Sequence, residues 1–233
     1  MPIINRDKSV IPACDVATLE KLKAIVNATC SIEGVGGYKV GCTLTLMYGL
    51  KQIMEAVRDL TDLPVIYDHQ KAGTDIPALG EKFMDACKRA GVNAVILFPQ
   101  AGPVTEEAWI SAARQADVDI IVGGEMTHEG YMKSDNGWIL DESAGRIFEI
   151  AANMNVTDFV VPGNKPDKIT EYRNLLLSKD ISPVLYSPGL IAQGGEITAA
   201  AEAAGDKWHA IIGRAIYDAG DMSLAAKKFT KKI

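Results

Sequence analysis

Eight short apolar runs, each followed by a stretch of helical periodicity, constrain this chain more than any other feature of its sequence. The runs are Ser9–Asp15, Tyr38–Thr43, Pro64–Asp68, Ala94–Pro99, Asp119–Glu125, Asp158–Pro162, Pro183–Ser187 and His209–Arg214. Most are apolar throughout, with little polar alternation, as expected of parallel strands covered on both faces. Between and after them lie amphipathic stretches: Ala17–Cys30, Leu44–Leu60, Ile76–Ala90, Glu106–Ala116, Glu142–Asn155, Asp167–Leu177, Glu196–Ala204 and Met222–Lys232. Thr105 and Asp141 precede acidic first turns and read as N-caps, while Gly91 and Gly205 stand where C-caps belong. Eight β-then-α units with no break in composition predict an α/β fold, a single-domain (β/α)8 TIM barrel over residues 1–233. An open doubly wound sheet is the alternative; the count of eight and the lack of an early GxGxxG favour the barrel.

A barrel places functional residues after its strands, at their C-terminal ends. The polar residues follow that rule. The first strand ends at Asp15, the second carries Lys39, and the third ends at Asp68 with Lys71 and Asp75 beyond it. The fifth runs into Glu125-Met126-Thr127-His128, the seventh into Ser187-Pro188-Gly189, and the eighth into Gly213-Arg214. The opposite end of the barrel reads as unremarkable.

Lys39, Asp68, Lys71 and Asp75 form a tetrad of alternating charge, in which each member holds its neighbours ionised where water is scarce. A lysine bonded to carboxylates can donate a proton to a developing carbanion, and an aspartate held against a substrate carboxylate repels it and favours its loss as CO2. The plainer alternative is an ion-pair network that closes the barrel end. A second constellation is Ser187-Pro-Gly-Leu-Ile-Ala-Gln193-Gly-Gly195 together with Gly213-Arg214. Glycine-freed N–H groups, a helix N-terminus and one guanidinium suit a phosphate dianion, and phosphate sites after strands seven and eight recur in such barrels. Gly194-Gly195 alone would be read as a flexible turn. Thr127 is either a substrate contact or a turn residue. His69 and His209 read as structural, and His128 and the polar loop Gly130–Leu140 receive no role.

The net charge of −6 and the lack of a basic run, apart from Lys227-Lys228 and Lys231-Lys232 near the end, argue against nucleic acid as a partner. Cys14, Cys30, Cys42 and Cys87 show no CxxC spacing and no partnered histidine, so they predict neither a zinc site nor a disulfide framework. No apolar run has membrane-spanning length and the N-terminal residues do not form a signal peptide, so a cytoplasmic protein without membrane contact is expected.

Taken in order, Cys14-Asp15, Tyr38-Lys39-Val-Gly41, Asp68…Lys71…Asp75-Ile-Pro77, Glu125-Met-Thr-His128, Ser187-Pro-Gly189, Ala192-Gln-Gly-Gly195 and Gly213-Arg-Ala-Ile-Tyr217 carry a resemblance over nearly the whole length. The chain resembles the orotidine 5′-phosphate decarboxylases, particularly the archaeal form. The resemblance implies decarboxylation of orotidine 5′-monophosphate to UMP and CO2, with no metal and no cofactor, as the last step of pyrimidine nucleotide synthesis. It implies that Asp68 destabilises the substrate carboxylate, that Lys71 stabilises and protonates the C6 carbanion, and that Lys39 and Asp75 complete the charge network. By the same resemblance Asp15 binds the ribose and Thr127 the pyrimidine edge, while Pro188, Gln193, Gly213 and Arg214 form the phosphate side. A homodimer is implied, with Asp75 contributed across the interface.

Two departures stand out. The family motif Asp-x-Lys-x-x-Asp is two residues longer here, and the one extra residue between Asp68 and Lys71 turns the lysine away on an alternating strand unless a bulge or an early loop intervenes. Gly73 offers backbone freedom for one. Leu79 stands where the family usually has threonine. Related 3-keto-gulonate 6-phosphate decarboxylases and hexulose phosphate synthases use Mg2+ held in part by a glutamate on the second strand. Lys39 occupies that place here and would oppose a divalent ion. A phosphate- or nucleotide-binding barrel without catalysis is the remaining alternative.

Overall fold

The computed structural model describes residues 2–69 and 74–233. The strands close into a parallel barrel in sequence order: β1 (Lys8–Cys14), β2 (Tyr38–Gly41), β3 (Val65–Asp68), β4 (Ala94–Leu97), β5 (Asp119–Gly123), β6 (Asp158–Val160), β7 (Val184–Ser187) and β8 (Trp208–Ile212), with β8 pairing back onto β1. Around it run α1 (Leu19–Thr29), α2 (Cys42–Arg58), α3 (Gly80–Ala90), α4 (Pro103–Gln115), α5 (Ser143–Asn153), α6 (Pro166–Leu177), α7 (Ile197–Ala204), the short α8 (Arg214–Tyr217) and α9 (Met222–Thr230). All eight expected strands are present, six of them ending one or two residues earlier than the apolar runs do. Those trimmed residues lead into the loops and helix starts of the C-terminal mouth.

Alternation along each strand divides the core in two. On β4, Ala94 and Ile96, with Phe98 just beyond, join Ile11, Ile66, Ile121 and Ile211 in an inner cluster, whereas Val95 and Leu97 pack outward with the helices. Both faces of the sheet are apolar for this reason, which is why the sequence shows runs rather than alternation. Phe98 fills the barrel centre over Gly123, where an added Cβ would lie 2.1 Å from the ring. Among the described residues no helix is long and apolar enough to cross a membrane.

The helix caps differ from expectation. Thr105 lies inside α4, which begins at Pro103, because proline fits the first helical turn and needs no N–H partner there. Asp141 does not cap α5; its carboxylate instead accepts from the backbone N–H and the hydroxyl of Ser134, 3.2 and 2.5 Å away. True side-chain caps are Thr18 on α1 and Asp221 on α9. Gly91 ends α3 in the left-handed conformation (φ 85°), and Gly205 ends α7 with φ 84°.

The N-terminal mouth is also more than an inert floor. Residues 2–7 fold across it, and a cavity of about 870 Å3 lies between them and the lower ends of β5 to β8, lined in part by Asp119, Asp158, Tyr186 and His209. Tyr186 donates its hydroxyl to Asp158 Oδ1 (2.8 Å) and Thr157 donates to Oδ2 (2.6 Å), while Ser9 Oγ and His209 Nδ1 share a bond of 2.8 Å. The sequence hid this layer because each polar residue stands singly in a different apolar run.

Candidate active site

The C-terminal mouth holds a cavity of about 460 Å3. Strand register builds its charged wall: Lys39 lies level with Ala13 and Ile66, and Asp68 two residues higher, level with Gly41. The Lys39 ammonium donates to Asp68 Oδ2 at 2.5 Å and to Asp15 Oδ1 and Oδ2 at 3.1 and 3.3 Å. Lys39 and Asp68 are each 5% exposed. Burial alone would lower the Lys39 pKa, but the carboxylates of Asp68 and Asp15 outweigh it and raise the pKa, so the ammonium stays charged. Gly41 makes the arrangement possible, since a Cβ there would stand 2.9 Å from Asp15 Oδ1.

The loop after β7 forms another wall. Pro188, Gly189, Leu190, Ala192 and Gln193 line the cavity, and the loop folds back through a bridge between Leu190 and Gly195. Gly189 has φ 86°, and an added Cβ would lie 2.6 Å from the Thr127 methyl, so glycine is needed twice over. Gly213 and Arg214 follow β8 and open α8. Arg214 is exposed, lines the cavity and forms no ion pair among the described residues, leaving its guanidinium available to an anion. Thr127 and His128 complete the rim.

Eight of the expected site residues thus line one cavity: Asp15, Lys39, Asp68, Thr127, Pro188, Gln193, Gly213 and Arg214. Asp75 does not. It is exposed outside the cavity, with Oδ1 accepting from the N–H of Ile76 at 2.6 Å. Lys71 and Gly73 lie outside the described residues. β3 spans Val65–Asp68. Leu79 closes a single 3-10 turn, Pro77–Leu79, just before α3.

Sequence reasoning missed the supports behind this cavity. Glu125, 3% exposed, forms an ion pair with Lys165 at 2.8 Å and accepts the hydroxyl of Tyr172. Asn164 Nδ2 donates to the Thr127 carbonyl at 2.9 Å, and the Gly163 N–H donates to the Pro188 carbonyl at 2.9 Å. The segment after β6 therefore ties the Thr127 loop to the Pro188 loop. Tyr217 also lines the cavity, and burial together with the Asp15 carboxylate raises its pKa. The one available signal for Asn164 and Lys165 was their place after a strand.

Comparisons with known proteins give the family of the chain. The sequence model of the Orotidine 5′-phosphate decarboxylase / HUMPS family matches residues 8–229. Orotidine 5′-phosphate decarboxylase of Methanosarcina mazei is 31% identical over 231 residues, covering 99% of this chain and 97% of that protein. The protein of the same name from Methanococcus maripaludis is 29% identical over 211 residues, covering 91% of each. The crystal structure of orotidine 5′-phosphate decarboxylase from Pyrococcus horikoshii superposes with a TM-score of 0.79 at 26% identity, covering 96% of this chain and 98% of that one. That of the Methanocaldococcus jannaschii enzyme complexed with the inhibitor BMP shares the fold, with a TM-score of 0.84 at 24% identity over 97% and 98% of the two chains. The chain belongs to the orotidine 5′-phosphate decarboxylase / HUMPS family.

Proposed function

We propose that this protein decarboxylates orotidine 5′-monophosphate to UMP and CO2, without metal or cofactor, as a cytoplasmic homodimer. The observation that carries the reading is the buried Lys39 ammonium between Asp68 and Asp15, in one cavity with Arg214 and Gln193. A cation at this place on β2 opposes a divalent ion, so the charge array suits chemistry at a substrate carboxylate rather than an enediolate held by Mg2+.

In this reading Arg214, Gln193 and the backbone around Pro188 and Gly213 hold the phosphate, and Asp15 holds the ribose. The pyrimidine edge meets Thr127, which places the C6 carboxylate beside Asp68. Two carboxylates pressed together in a poorly hydrated pocket repel each other, and loss of CO2 relieves the repulsion. Lys71 then stabilises the carbanion and delivers the proton to C6. Lys39 keeps Asp68 ionised and fixed in place. Binding energy from the remote phosphate holds the substrate against that repulsion.

Asp75 completes the array from a second copy. Its exposure outside its own chain's cavity supports this, as do the exposed apolar side chains Leu46, Met47, Ile76 and Val104 around the C-terminal ends of the neighbouring units. The test is loss of orotate-ring absorbance when the purified protein meets orotidine 5′-monophosphate in excess EDTA. Conversion to UMP is expected. No conversion with or without added Mg2+ would leave a binding barrel, and Mg2+-dependent turnover of a keto-sugar phosphate would move the protein to the other branch of its family.

A further inference from the structure

Glu106 stands in the first turn of α4 at 2% exposure, and neither of its carboxyl oxygens has a hydrogen-bond partner. Burial, with a smaller contribution from the Glu107 carboxylate, raises its pKa from 4.5 to about 8, which favours the protonated acid at neutral pH. No lysine, arginine or histidine on the described parts of α3, α5 or the Pro77–Leu79 turn pairs with it. A neutral carboxyl still carries a donor and acceptors, and leaving them unmade in the interior is costly.

A second orphan lies on the adjacent segment: Thr74 Oγ1 is buried and also without a partner. The two elements touch. Trp109, one turn after Glu106 on the same face of α4, donates Nε1 to the Ile76 carbonyl at 3.2 Å, two residues beyond Thr74. Gly80 presses on the same indole, where an added Cβ would stand 3.0 Å from its ring. Between Thr74 and Ile76 sits the exposed Asp75.

We propose that Glu106 and Thr74 form a proton-bearing anchor that positions the segment carrying Asp75, the Glu106 carboxyl donating to the Thr74 hydroxyl in the assembled dimer. The proton stays on Glu106 throughout. Glu106 is a positioning residue that acts through Asp75, and the proposal takes the role of Asp75 from the decarboxylase reading above. Ionisation of Glu106 removes its donor and places a charge behind the segment, so the anchor releases as pH rises past about 8.

The experiment compares wild type with Glu106→Gln, Glu106→Leu, Thr74→Val and the Thr74→Val/Glu106→Leu double variant, all as full chains. It measures kcat and KM across the neutral to alkaline range and, without substrate, amide hydrogen exchange over residues 74–79. Wild-type kcat is expected to fall above about pH 8, and Glu106→Gln, which keeps a donor at every pH, should abolish that fall. Glu106→Leu and Thr74→Val should each lower kcat roughly tenfold with little change in KM, the double variant being no worse than either, because the residues share one interaction. Exchange over 74–79 should quicken in Glu106→Leu. Wild-type kcat and pH profile in Glu106→Leu, or additive losses in the double variant, would overturn the anchor. Should the leucine variant not fold, an unchanged alkaline fall in Glu106→Gln overturns it instead. If the wild type does not decarboxylate at all, the functional reading fails, and the exchange data decide the anchor alone: equal exchange in wild type and Glu106→Leu, or in wild type and Glu106→Gln above about pH 8, rejects it.

Discussion

The two mouths of this barrel are built from the same strands and both draw an aspartate at least half out of water, yet they treat charge in opposite ways. At the C-terminal mouth Lys39 sits between Asp68 and Asp15, and attraction to two carboxylates overrides the burial that would otherwise discharge it. At the N-terminal mouth no such cation is buried among the described residues. Asp158 is met by the hydroxyls of Tyr186 and Thr157, and burial raises its pKa despite them. Burial lowers the pKa of His209 to about 4, its Nδ1 bonded to Ser9 and its ring 4.9 Å from that of Tyr186. A hydroxyl can satisfy a hydrogen bond but supplies no field, so desolvation wins at one mouth and Coulomb attraction at the other.

Removing the cation should therefore do the greatest harm. Lys39→Met removes the buried ammonium that bridges Asp68 and Asp15, a loss of roughly 3–5 kcal/mol when one member of a buried ion pair is deleted. We expect kcat/KM for orotidine 5′-monophosphate to drop by about a thousandfold. Turnover within tenfold of wild type would show that the charged mouth does not depend on Lys39.

Arg214→Ala tests the other wall of the same cavity. Charge-assisted hydrogen bonds contribute roughly 1.5–3 kcal/mol, so KM should rise by about 10- to 100-fold. The Kd for UMP, measured by calorimetry, should weaken in parallel. An unchanged affinity would remove Arg214 from phosphate binding.

An effect on stability alone, without loss of activity, belongs to the N-terminal mouth. His209 has an ordinary pKa of 6.5 when unfolded and about 4 in the fold, so below pH 6.5 the unfolded chain binds a proton that the fold refuses. Stability is lost progressively as pH falls from 6.5 to about 4, by on the order of 3 kcal/mol for a shift of this size. Replacement by asparagine removes that dependence, so the difference in denaturation midpoint between His209→Asn and wild type should move in favour of the variant as pH falls through this window. A difference independent of pH would mean that His209 is not held neutral by burial.

Much of the architecture was legible in the sequence because burial on both faces of a strand is a local demand. Val65-Ile66-Tyr67 and Ala94-Val95-Ile96-Leu97 could hardly lie anywhere but in a covered sheet, and eight such runs alternating with amphipathic stretches made a barrel the natural closure. Most of the expected site residues could be placed by one rule, that function gathers after strands. The misread caps at Thr105 and Asp141 failed because Pro103 starts α4 earlier and Ser134, seven residues from Asp141, competes for its carboxylate.

Other features depended on the folded barrel. Lys39 meets Asp15 and Asp68 across 24 and 29 residues of sequence, and Glu125 meets Lys165 and Tyr172 across 40 and 47. Nothing local to Glu106 marks it as a buried acid, since it follows an ordinary helix start and precedes another glutamate. Amino-acid order dictated which segments are strands and helices, because hydrophobic periodicity acts over a few residues. Tertiary structure alone decided which charges are paired, which are neutralised and which lack a partner, because desolvation and Coulomb attraction depend on what closure of the barrel brings within a few ångströms.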